Sequence, residues 1–157
     1  MTIDPTTSPR PVAVVTGASR GLGAALARGL AERGWDLVVD ARRAEPLAAV
    51  AAELSRTTTV RAIPGDVTDP AHRAALVAAA RSLPGPLRLL ANNASTLGAS
   101  PLPPVAALTD TVLDRTFAVN VTAPLLLTAA LLDDLEPGGV VVNVTSDAGV
   151  EAYEGWA

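Results

Sequence analysis

The 157-residue sequence contains no cysteine, which excludes disulfides, thiol chemistry and cysteine-ligated zinc. Lysine is missing too, all 12 basic residues being arginine. A single histidine, His72, rules out any mechanism or metal site that needs two. It falls in the first turn of an expected helix and reads as solvent-exposed, without a metal role. Aromatic residues make up 3% of the chain and hydrophobic residues 49%, so the core must be assembled from Ala, Val and Leu. No run approaches the roughly 18 uninterrupted apolar residues of a membrane span. A net charge of −4 leaves no basic footprint for nucleic acid. Met1 to Arg10 is polar and has no apolar signal centre, so it is expected to be a disordered leader on a cytoplasmic protein.

Short apolar runs alternate with helical stretches. Strands are expected at Val12–Thr16, Asp36–Asp40, Val60–Pro64, Leu87–Ala91 and Gly139–Val144. Helices are expected at Gly21–Arg33, Ala44–Leu54, Pro70 to about Leu83, Ala106–Val119 and Val121–Leu135, with Asp69 as the N-cap of the third. Pro137 and Gly138 punctuate the end of the last helix. Continuously apolar strands alternating with helices imply βαβ units and a parallel sheet covered on both faces, an α/β fold of the doubly wound Rossmann type.

The first strand runs into Thr16-Gly17-Ala18-Ser19-Arg20-Gly21-Leu22-Gly23, where a helix opens. Glycines there let the backbone turn tightly and approach a pyrophosphate, and the helix mouth offers free N–H groups. With this turn the sequence resembles the short-chain dehydrogenase/reductase family, whose glycine motif is TGxxxGxG. The resemblance continues in order: Asp66-Val67 after the third strand, and Asn92-Asn93-Ala94 after the fourth, with Ser95 where the family usually has Gly. Asn120 and Ser146 complete it. It implies that Gly17, Ser19, Arg20, Gly21, Leu22, Gly23, Arg42, Asp66, Val67, Asn92 and Ala94 bind the cofactor, Asp66 near the adenine. It also implies that Ser146 polarises a substrate carbonyl and that Asn120 supports a proton relay. No metal is implied.

Two cofactor readings compete. Asp40 could grip a ribose 2′-hydroxyl and select NAD(H). Alternatively Ala41, at the discriminating position, leaves Arg42 and Arg20 to clamp the 2′-phosphate of NADP(H), the favoured reading. The family's acid/base is a Tyr followed four residues later by Lys, because an unperturbed Tyr titrates near pH 10 and needs a neighbouring cation. Tyr153, the only Tyr, is followed at that spacing by Ala157, so it reads as a loop residue beside substrate. The expectation is a partial NADP(H)-binding domain over residues 11–157, without the last strands and the Tyr/Lys helix, and inactive alone. Its whole form would act on a small carbonyl or secondary alcohol as a homodimer or homotetramer. A non-catalytic NADP(H)-binding or regulatory module remains the alternative.

Overall fold

The computed structural model describes residues 8–151. The chain alternates strand and helix: β1 (Val12–Val15), α1 (Gly21–Glu32), β2 (Asp36–Ala41), α2 (Ala44–Leu54), β3 (Val60–Pro64), α3 (Pro70–Arg81) and β4 (Leu87–Asn92). After a longer connection come α4 (Asp110–Phe117), α5 (Ala123–Leu131) and β5 (Leu135–Asn143). The strands form one parallel sheet in the order β3-β2-β1-β4-β5.

Period-two side-chain alternation explains how so aliphatic a chain builds two cores. Ala13, Val15, Leu37 and Val39 point to one face and pack with Ala27, Leu30, Leu47 and Leu54 of α1 and α2. Val12, Val14, Val38 and Leu90 point to the other and pack with Leu76, Leu127 and Leu131 of α3 and α5. Strands buried on both faces must be apolar throughout, which is the reason β1 and β2 read as continuous runs. The Asp69 carboxylate accepts the Ala71 amide at 2.8 Å, so α3 starts where its cap and Pro70 dictate.

Sheet order reverses between β1 and β4. The turns leaving these two strands therefore open a crevice at their carboxyl ends, where a parallel α/β sheet receives its ligand.

Three boundaries differ from expectation. Residues 105–107 form a 3₁₀ turn, and α4 begins only after Thr109, whose hydroxyl accepts the Val112 amide at 3.4 Å. The two expected helices are one continuous rod over Asp110–Asp134, with a π turn at Ala118–Thr122 around Asn120 and a 3₁₀ turn at its end. An 18-residue stretch of that rod has a mean hydropathy of 1.5 and is apolar enough by composition to cross a membrane, yet Leu127 and Leu131 are buried against the sheet. Finally, Leu135 already pairs with Leu87 and Val140 pairs with Leu89, so Pro137 and Gly138 bulge out within β5 instead of preceding it.

Candidate functional site

Thr16 and Asn93 stitch the two turns at the crevice together. The Thr16 hydroxyl accepts the amides of Asn93 and Ala94, both at 3.0 Å. In return the Asn93 side-chain amide donates to the carbonyls of Thr16 (2.8 Å) and Gly17 (3.2 Å). These contacts draw the chain so close that side chains are excluded. Gly17 sits at φ +69° with Ala94 Cα 2.9 Å from where a Cβ would lie, and a Cβ on Gly23 would collide with the Asn93 amide and the Gly17 carbonyl.

The glycine turn then divides into two parts. Its first amides are consumed: Gly17 N–H donates to Asp40 Oδ1 at 2.7 Å and Ala18 N–H to the Asp40 carbonyl at 2.8 Å. Those of Ser19, Arg20, Gly21, Leu22 and Gly23 meet no acceptor among the described residues. They lie at the positive mouth of α1, where Ser19, Arg20, Gly21 and Leu22 border a cleft of about 280 Å³ and Gly23 is buried. Ser19, Arg20, Gly21, Leu22, Ala41, Arg42, Asp66, Val67 and Ala94 line it. Arg20 and Arg42 are both exposed there.

Asp66 is not free in this cleft. Its Oδ1 accepts the Thr68 amide at 2.9 Å and hydroxyl at 2.7 Å, and its Oδ2 accepts Arg115 Nη2 at 2.6 Å. Partial burial pushes the carboxyl up, but the Arg115 hydrogen bond, the Thr68 donors and the Arg115 charge outweigh it and hold the group down at about 2. Arg115 also lines the cleft and was not singled out from sequence. The signal was present: it is the lone base on α4, in the last turn of that helix.

A second cavity, of about 520 Å³, adjoins the first through Ala94 and Ser95. It brings Asn120 and Ser146 together with Thr96, Leu97, Val121 and Thr145. Both ends of the Asn120 side chain bind Thr96: Oδ1 accepts its amide at 2.9 Å and Nδ2 donates to its carbonyl at 2.8 Å. It therefore pins the loop after β4 to the π turn. Ser146 is exposed, its hydroxyl donating to Asp147 at 3.1 Å. Asn92, expected beside the cofactor, lines this second cavity instead, because its amide donates to Asn143 at 2.9 Å and Thr128 at 3.2 Å. The neighbouring Asn93 faces the first cleft.

Two further expectations change. His72 is 7% exposed, not solvated: the first turn of α3 packs inward, and its Nε2 lies 2.9 Å from Asp40 Oδ2. Asp40 in turn is 1% exposed, with Oδ1 on the Gly17 amide and Oδ2 beside His72. Arg10, assigned to the leader, donates to the Thr57 carbonyl and the Thr58 hydroxyl, both at 3.1 Å. Tyr153 and Ala157 lie outside the described residues.

A doubly wound parallel sheet with free helix-mouth amides at its switch point defines a dinucleotide-binding domain. The particular family follows from comparison: the short chain dehydrogenase model matches residues 11–157, and the chain belongs to that family of nicotinamide-dependent oxidoreductases. It is 39% identical over 149 residues to a serine 3-dehydrogenase of Agrobacterium fabrum strain C58, covering 90% of this chain and 56% of the relative. It is similar to the crystal structure of the KRED1-Pglu enzyme, with a TM-score of 0.84 and 29% identity over 94% of this chain and 61% of that one. It is also similar to L-sorbose reductase from Gluconobacter frateurii, solved with NADPH and L-sorbose, at a TM-score of 0.74 and 30% identity, covering 81% and 48% of the two chains. The chain spans about half the length of the curated relatives it matches, 54 to 56% for the first three.

Proposed function

We propose that this chain carries the cofactor-binding part of a cytoplasmic, NADP(H)-dependent carbonyl reductase or secondary-alcohol dehydrogenase. One observation carries the reading: four adjacent residues with unpaired backbone amides, Ser19 to Leu22, line a cleft that Arg20 and Arg42 also border. The amides suit a pyrophosphate, and the paired arginines suit a 2′-phosphate, which a guanidinium holds with two parallel hydrogen bonds. Ala41 places no carboxylate between them. The relative solved with NADPH supports the same preference.

When bound, the cofactor supplies or accepts the hydride. The residues of this chain act around it. Asn120 holds the Thr96 loop as one wall of the second cavity, and Ser146 offers its hydroxyl to a substrate carbonyl oxygen there. The exposed stripe Leu113, Phe117, Val121 and Leu125 along the rod is the face we assign to a second copy of the chain.

Fluorescence titration of the purified chain with NADPH and NADH tests the reading. NADPH is expected to bind at least about tenfold tighter, and Arg42→Ala to remove most of that difference, a change worth about 1.4 kcal/mol. Equal, weak binding of both nucleotides, unchanged in Arg42→Ala, overturns it.

A further inference from the structure

The one buried pair of opposite titratable side chains in the described protein, Asp40 and His72, belongs to no step above, yet it borders the cofactor cleft. Asp40 stands at the end of β2, where an acidic side chain facing the cleft would bind the ribose 2′-hydroxyl of NAD(H) and repel a 2′-phosphate. Here that carboxylate is turned away. Oδ1 is held by the Gly17 amide at 2.7 Å and Oδ2 by His72 Nε2 at 2.9 Å, and the group is 1% exposed. An ionised carboxylate only accepts, so the imidazole carries its proton on Nε2. Space for the ring comes from Gly65, where a Cβ would collide with it. Three separate segments thus cooperate to bring an imidazole under the end of β2. For a helix whose outer face is solvated, an inward histidine in its first turn has no other polar partner here.

We infer that His72 is a specificity-determining residue acting through Asp40: by binding the second carboxylate oxygen it withholds the Asp40 charge from the cleft and so permits a 2′-phosphate beside Arg20 and Arg42. The inference rests on the NADP(H) reading. Its physical basis is that a buried carboxylate stays buried only while its charge is paired and hydrogen-bonded. Without the imidazole, Oδ2 turns toward the nearest water, which is in the cleft that Asp40 already lines. There it meets the ribose.

The same NADPH and NADH titrations test this, scored as the ratio of the two dissociation constants in each variant. His72→Ala is expected to shift the ratio at least about tenfold toward NADH, mainly by weakening NADPH. Adding Asp40→Asn to it removes the charge and returns the ratio to within about threefold of the parent. Asp40→Asn alone keeps an acceptor for Gly17 and leaves the ratio within about threefold, since the charge is already withheld. An unchanged ratio in folded His72→Ala overturns the inference, as does a larger shift in Asp40→Asn, which would show the carboxylate already acting on the cleft. If His72→Ala does not fold, by circular dichroism, Asp40→Asn decides alone on the same threshold. Failure of the NADP(H) reading looks different: the parent ratio itself is near one and does not respond to Arg42→Ala, whereas His72 is judged on the change from the parent.

Discussion

The two sides of the sheet are built differently. On the side of β1, β2 and β3, every residue of β1 and β2 is buried, and the helices α1, α2 and α3 bury their apolar stripes. On the side of β5 and the α4–α5 rod, Val140, Val142 and Val144 remain exposed on alternate positions, and Phe117 and Leu125 are 59% and 65% exposed. α4 buries no residue at all. The nucleotide side therefore carries its own core and a finished cleft, while the substrate side presents apolar faces of the kind that mark interaction surfaces.

The largest effect should separate the two sides outright. Leu90 is fully buried at the centre of the sheet, and Leu90→Ala should cost roughly 3 kcal/mol, cavity included. Leu125→Ala, with the same atoms removed from the rod, should stay within about 0.5 kcal/mol in the monomeric chain, where this side chain is exposed. Urea denaturation of both variants measures the contrast, and similar losses would break it. Next, Gly23→Ala forces a methyl against Asn93 and the Gly17 carbonyl. It should lower stability by about 1–3 kcal/mol and NADPH affinity on the order of tenfold, because the stitched turns must separate to admit it. An alanine variant that binds NADPH normally would show that the cleft tolerates movement after all.

The same asymmetry governs how much could be read in advance. The strands and helices up to β4 were legible because burial on both faces imposes a pattern that no surface residue can disturb. Asp69-Pro70 marked its helix start for an equally local reason. The rod was misread as two helices because Asn120 resembles a cap in sequence, and only the loop at Thr96, 24 residues earlier, shows why an amide sits mid-helix. Glycine turn, Arg20 and Arg42 were legible from spacing. The inward turn of His72 was not: its reason is Asp40, 32 residues away across α2 and β3, and a lone histidine gives no periodic signal. Asn92 and Asn93 were read as one motif, yet adjacent residues leaving a strand point oppositely, so one faces each cavity.

One charged strut joins the two sides across the mouth of the cleft: Arg115 of α4 reaches Asp66, beyond β3, with Nη2 2.6 Å from Oδ2. Its strength depends on the carboxylate being ionised, so acid should cut it. The folded carboxyl is depressed from its ordinary 3.8 to about 2. The stabilisation is therefore complete above 3.8 and is lost as pH falls from there through about 2. Both partners are about one-third exposed, 34% for Arg115 and 33% for Asp66, so solvent screening reduces the contribution to on the order of 1 kcal/mol. Asp66→Asn should be less stable than the parent by that amount at pH 7, and most of the gap should be gone at pH 2, where the folded carboxyl is half protonated. Paired urea titrations at pH 7, 4 and 2 isolate the effect, because all other carboxyl groups titrate alike in both proteins. High salt should narrow the gap at pH 7. A gap that persists unchanged at pH 2 would mean that Asp66 works by its turn geometry with Thr68 and not by its charge, leaving the apolar contact of Val67, Val119 and Ala123 as what joins the two sides at the mouth of the cleft.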